Sequence, residues 1–166
     1  MGLFSFIKGA GEKLLGNDDV KAADEKAKQE PSPVNVATAN KTAADAIANY
    51  VGKMNLTAEN LEIGFDGATA TVSVAGIADT QETKEKILLC CGNVKGVENV
   101  EDKMSVASIA SDSQFHTVVS GDSLSKIAKA FYGDANAYMK IFEANKPMLS
   151  HPDKIYPGQV LRIPPQ

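Results

Sequence analysis

Few of the residues that carry chemistry in proteins stand at useful spacing in this chain. It has two histidines, His116 and His151, and two cysteines, Cys90 and Cys91. Neither set has zinc-site spacing, and neighbouring cysteines rarely close a disulfide because the ring strains the intervening peptide. They read as two small buried thiols on a helix in a reducing compartment. No glycine motif of the phosphate-cradling or dinucleotide type is present, and no metalloprotease or EF-hand pattern. Neither histidine sits in a nucleophile and acid arrangement, and Asp66 and Asp79 suit a turn and a helix cap better than a catalytic pair. The expectation is a protein that is not an enzyme. What remains is main-chain chemistry. A helix leaves its last four carbonyls without intrahelical partners, at the negative end of its dipole. Gly92-Asn93-Val94-Lys95-Gly96-Val97 follows a helical stretch, and Gly9, Ala10 and Gly11 loosen another. Two such breaks could aim carbonyls at one point, while an ordinary glycine cap followed by a turn accounts for Gly92 and Gly96 equally well.

The elements that would position these breaks can be read from periodicity. Leu3, Phe4, Ile7, Leu14 and Leu15 fall largely along one face at helical spacing, which predicts a short amphipathic helix over residues 1–15, weakened by Gly9 and Gly11. Residues 16–37, with charges of both signs and then Pro31-Ser32-Pro33, read as a connector. Ala43, Ile47, Tyr50 and Val51 mark a helix from about residue 38 to Gly52. Leu61, Ile63 and Phe65, then Ala68, Ala70, Val72 and Val74, alternate as two half-buried strands, with Asp66-Gly67 between them as a tight hairpin of primed type. A second helix starts near Asp79 with Glu82 at capping-box spacing, buries Ile87, Leu88 and Cys91, and stops at Gly92. A third strand carries Val100, Met104 and Val106 on one face.

After a small-residue linker at 108–114 the punctuation changes. Phe115, Thr117 and Val119 form a strand, Asp122 is placed to cap a helix carrying Leu124, Ile127, Ala128 and Phe131, and Asp134 to cap another carrying Ile141 and Phe142. A strand at Val160-Leu161-Arg162-Ile163 closes the pattern. The fold class is therefore α+β in two small domains. One has the order helix-strand-strand-helix-strand, at 38–107, and the other strand-helix-helix-strand, at 115–164.

Composition agrees with two modest cores. The chain has 166 residues, 43% of them hydrophobic but only 6% aromatic and none Trp. Its net charge of −4 gives no basic field for a phosphate backbone, so nucleic acid is not expected as a partner. Residues 1–110 hold 11 basic and 16 acidic side chains against 6 and 5 afterwards, a change that falls at the expected linker. The start, MGLFSFIKGAGEKLLG, has no basic region before its apolar residues, no uninterrupted apolar run and no cleavage site, and Phe6 stands where myristoylation wants Ser or Thr. No stretch of about 20 apolar residues exists, so the expectation is a cytoplasmic protein, with a membrane partner not favoured.

Two motifs then carry a family resemblance. F-H-T-V-V-S-G-D-S-L-S-K-I-A, I-F-E-A-N-K-P and I-Y-P-G-Q-V-L-R-I-P closely resemble a LysM domain across 115–164. Residues 38–107, with the turn G-V-E-N-V-E-D, resemble a BON domain. Together with the opening MGLFSFIKGAGEKL, the whole chain resembles the bacterial cytoplasmic potassium-binding proteins of BON–LysM architecture.

The resemblance implies K⁺ as the bound ion and a monomer as the active form. Potassium is large, singly charged and weakly hydrated, so neutral carbonyls can replace its water without the carboxylates that favour divalent ions. The family's site implies main-chain carbonyls of Ile7 and Ala10 in the amino-terminal segment, and of Gly92, Val94 and Val97 after the second BON helix. The LysM resemblance implies an alternative: a groove for glycans containing N-acetylglucosamine, formed by Gly121, Asp122, Ser123 and Leu124 with Ile155, Tyr156 and Pro157. Turn, cap and core roles account for those positions as well, and a LysM fold can instead dock on the BON domain.

Overall fold

The computed structural model describes residues 2–166. Its longest helix shows how local signals set the frame. Ser32 caps α2 (Pro33–Lys53) by accepting the Asn35 N–H, Pro33 occupies the first turn, and Ala43, Ala44, Ile47 and Val51 form its buried stripe. The helix thus starts five residues before the expected position, because proline opens a helix as readily as it ends one. The expected connector is also helical over α1 (Asp18–Gln29), which is capped by Asn17 and buries only Val20. It packs on α2 as the solvated helical extension its mixed charges allow.

Next come β2 (Glu59–Asp66) and β3 (Thr71–Thr80), paired antiparallel with Asp66 opposite Thr71. The hairpin is where Asp66-Gly67 places it, but the loop is four residues long, Gly67 to Ala70, rather than a two-residue primed turn. Asp66 accepts hydrogen bonds from Ala68 N–H and the Thr69 hydroxyl, and the positive φ falls on Ala70. The Asp side chain closes the turn locally and removes the need for a left-handed glycine. Then α3 (Gln81–Gly92) leads to β4 (Asn99–Ser108), which lies parallel to β3. Its cap is Thr80, which accepts the Thr83 N–H; Asp79, the expected cap, holds the Thr80 N–H instead.

The first fifteen residues depart most from expectation. Gly2–Ser5 is a strand, β1, antiparallel to β4 with Phe4 opposite Val100, and Leu14–Gly16 is a single 3₁₀ turn. Without β1, β4 would present an open edge in the sheet order β1-β4-β3-β2. Pairing satisfies that edge and turns Phe4 onto the core while Leu3 stays 67% exposed, a period of two in place of the expected helical spacing.

The carboxy-terminal unit is a two-stranded sheet, β5 (Gln114–Thr117) with β6 (Val160–Ile163), under α4 (Leu124–Tyr132) and α5 (Tyr138–Ala144). Ser123 caps α4 by accepting the Lys126 N–H, so Asp122 is free for other work, and Gly133 ends the helix at φ 75°. Asp134 accepts the Asn136 N–H in the turn before α5. Two separate cores result. Ile47, Val72, Val74, Ile87 and Val100 centre one, and Ile127, Ile141, Leu161 and Ile163 the other.

Candidate functional site

Helix α3 organises the region where the two units and the amino terminus meet. It is buried from Ile87 to Gly92, so both its faces are covered. Gly92 is needed at its last turn because a Cβ there would overlap the Phe6 ring. Asn93 follows and makes contacts in three directions. Its N–H donates to Leu89 C=O, its C=O accepts the Glu12 N–H at 2.8 Å, and its side chain grips β6. Val160 N–H donates to Asn93 Oδ1 at 2.9 Å while Asn93 Nδ2 donates to Val160 C=O at 2.8 Å.

The amino-terminal segment after β1 runs along the chain that leaves α3. Phe6 N–H donates to Glu98 C=O, Gly96 N–H to Lys8 C=O, and Lys95 N–H to Glu12 C=O, at 2.7, 2.8 and 2.8 Å. Gly11, at φ 106°, brings its backbone against the Asn93 carbonyl too closely for any side chain. From the other unit, Gly158 would set a Cβ 2.6 Å from Ala10 Cβ. Three chain segments therefore meet here: residues 6–12, 92–98 and 156–160.

Four of the five residues expected to offer carbonyls, Ile7, Ala10, Gly92 and Val94, lie in or beside these contacts, and Val97 ends the same turn. Two of the carbonyls take part in turns: Ile7 C=O accepts Ala10 N–H at 2.9 Å, and Val94 C=O accepts Val97 N–H at 3.0 Å. Among the described residues, no backbone N–H outside helices and strands donates to the carbonyls of Ala10, Gly92 or Val97. Gly92 is buried, and Val97 is 0% exposed. A carbonyl at the end of a buried helix is at the negative end of its dipole, so these two turns can present electron-rich oxygens toward the junction.

The residues expected to bind glycan are differently employed. Gly121 C=O accepts from Lys126 Nζ, Ser123 caps α4, and Leu124 is buried in the second core. Asp122 Oδ2 holds the Val119 N–H at 3.0 Å and His116 Nε2 at 2.8 Å. That N–H first, and then the His116 bond, hold its carboxyl below the ordinary value. Ile155 packs on the second core, and exposed Pro157 precedes Gly158 where it meets Ala10. Tyr156 lines a cavity of ≈ 200 Å³ between the units with Glu12, Tyr50, Cys90, Asn93 and Gln159. Burial raises the Tyr156 hydroxyl to about 12 and the Cys90 thiol to about 12, so neither ionises near neutral pH. Both cysteines are free and buried.

The sequence assigns no role to several residues that build this junction, chief among them Phe6, Asn93 and Gly158. One signal was present in the sequence: Arg162 interrupts the apolar strand Val160-Leu161-Arg162-Ile163, whereas its partner Glu85 lies in a charged run between Lys84 and Lys86 and gave none. They pair, Arg162 Nε donating to Glu85 Oε2 at 2.5 Å, with both residues at most 6% exposed. Ser113 N–H donates to Glu85 Oε1, and Asn145 holds both the N–H and the C=O of Arg162.

Comparison with known proteins now adds a class. Residues 116–164 match the LysM domain family. Over 49 residues the chain is 57% identical to an uncharacterised protein of Deinococcus radiodurans, a match covering 30% of this chain and 19% of that one. The more particular relationship covers the whole molecule. The chain is 47% identical over 165 residues to the potassium binding protein Kbp of Escherichia coli O6:H1, with 99% of each chain covered, and it belongs to that protein's family. No helix among the described residues is long and apolar enough to cross a membrane.

Proposed function

We propose that this chain is a monomeric, non-enzymatic, cytoplasmic K⁺-binding protein, a potassium sensor whose ion is held by the main-chain carbonyls of Ile7, Ala10, Gly92, Val94 and Val97. The observation that carries the reading is the meeting of residues 6–12 with the turn at 92–97 after α3, where Gly92 and Val97 are buried and their carbonyls accept no backbone N–H from outside helices and strands among the described residues. The full-length relationship to a protein named for binding potassium supports the choice of ion. Neutral carbonyls suit a weakly hydrated monovalent cation, and the end of a buried helix adds the negative pole of its dipole.

The ligands come from separate segments, so the ion binds only the state in which they are assembled. Binding then stabilises that state and draws residues 6–12, and through Ala10 and Gly158 the LysM unit, against the first unit. The glycan reading has weaker support, because Tyr156 lines the cavity between the units and Gly158 backs onto Ala10, so part of that groove is covered by the chain itself.

The test is calorimetry of the full chain in choline chloride, with KCl or NaCl as titrant. Saturable heat with K⁺ and at least about tenfold weaker binding of Na⁺ is the expected result. Equal responses to the two salts would remove selectivity from the proposal.

A further inference from the structure

A second cavity, of ≈ 600 Å³, opens beside the amino-terminal segment and is lined by Lys8, Lys13, Lys21 and Lys95 with Leu15 and Gly96. Four of the chain's 17 basic residues thus face one space in a protein of net charge −4. Only Lys8 has a carboxylate within reach, Glu98 at 3.4 Å, and both side chains of that pair are about half exposed. Among the described residues, Lys13, Lys21 and Lys95 make no ion pair. Asp18, Asp19 and Glu25, which flank Lys21 on α1, form no ion pair with these lysines among the described residues. Glu12 lines the cavity between the units, and Asp24, one turn after Lys21, bonds Lys28.

Like charges gathered round one cavity repel, and a bound anion relieves that repulsion. We propose that this cavity binds a small soluble anion carrying at least two linked phosphates. Its volume lies within the range of small-molecule sites, about 300–1,000 Å³, and is large for a single phosphate. The main-chain N–H groups of Lys95 and Gly96 are already committed to Glu12 C=O and Lys8 C=O. Recognition therefore falls to the ammonium groups, which act as point charges toward phosphate oxygens and make binding fall steeply with salt. The cavity adjoins the proposed carbonyl site, because Lys8 lies between Ile7 and Ala10 and Lys95-Gly96 between Val94 and Val97, but its occupation does not require potassium.

The experiment is a titration of the full chain with tetramethylammonium pyrophosphate in potassium-free choline chloride, read by amide shifts and calorimetry. Saturable one-to-one binding with shifts at Gly16, Lys95 and Gly96 is expected. Lys13→Gln with Lys21→Gln should weaken it about tenfold or more, while Lys41→Gln, on α2, leaves it unchanged. The substituted lysines are exposed, so folding is retained. Failure to saturate, an unchanged affinity in the double variant, or an equal loss in the Lys41 variant would overturn the proposal. So would co-sedimentation with phosphatidylglycerol vesicles in the absence of pyrophosphate binding, which would assign the lysines to a lipid surface.

Discussion

The absence of a single methyl group at Gly92 decides how the amino terminus meets α3. The Phe6 ring occupies the space a Cβ would take, and the neighbouring Phe6 N–H is anchored to Glu98 C=O. Gly92→Ala must push the ring, and residues 6–12 with it, away from the turn that holds Val94 and Val97. The expected cost is about 1–3 kcal/mol of stability from overpacking. Potassium affinity, measured by calorimetry, should fall at least about tenfold, because Ile7 and Ala10 move with Phe6. Restored stability from a paired Phe6→Leu change without restored K⁺ binding would separate packing from ion coordination. Unchanged K⁺ affinity in Gly92→Ala would place the ion elsewhere. A glycine at a helix end is ambiguous in sequence, since a cap and a close approach ask for the same residue; only the position of the Phe6 ring separates them.

At the scale of elements, α3 is the common wall of both units, and its Glu85 reaches across to β6. Burial alone would raise the Glu85 carboxyl, but the Ser113 N–H and the Arg162 guanidinium outweigh it and hold the group below its ordinary value. Glu85→Ala would leave Arg162 buried without its carboxylate, at an expected cost of about 3–5 kcal/mol in urea unfolding at pH 7. The pH dependence has a definite sign. A carboxyl whose folded pKa is depressed contributes its full stability above its unfolded value, about 4.3, and loses it as pH falls through the lower folded value. The difference between the parent chain and Glu85→Gln should therefore be flat from neutral pH to about pH 5 and shrink below about pH 4. The order of elements was largely legible, because β3 and β4 alternate their apolar residues at the period of a strand and α3 is a longer run stopped by Gly92. Strand β1 was not. Four residues are too few to fix a period, and only the open edge of β4, a tertiary fact, decides that Leu3 faces out and Phe4 in. The Glu85–Arg162 pair was half legible: Arg162 is out of place in an apolar strand, but Glu85 stands among charged neighbours, and their meeting depends on how the units dock.

For the whole molecule, an ion bound at the proposed site would make the assembly of these segments responsive to it. The two cores are separate, and besides the buried ion pair the contacts across the boundary include the Asn93–Val160 pair, the approach of Gly158 to Ala10 and the edge-on stacking of Phe4 with Phe115 at 5.4 Å. Residues 6–12 take part in both units' contacts, and the hydrogen bonds that fix them can open without unfolding either core. An ion that requires this segment in place adds its binding energy to closing it. At a hundred times its dissociation constant that is about 2.7 kcal/mol, or about a hundredfold in the closing equilibrium. Hydrogen exchange at the amides of Phe6, Glu12, Lys95 and Gly96 should therefore slow by up to about a hundredfold when K⁺ replaces choline, with much less change for Na⁺. Amides of β3, deep in the first core, should change less, because their exchange reports opening of the core rather than of the junction. Small-angle scattering would report a smaller radius of gyration in K⁺ if Gly158 and Asn93 release together with Ala10. Slowing at the four junction amides without a change in radius would mean that the Asn93 grip on β6 and the Glu85–Arg162 pair keep the units docked in either state. In that outcome the ion orders the amino-terminal segment alone. Equal slowing at β3 and at the junction would instead show that the ion acts on global stability and that residues 6–12 have no separate equilibrium of their own.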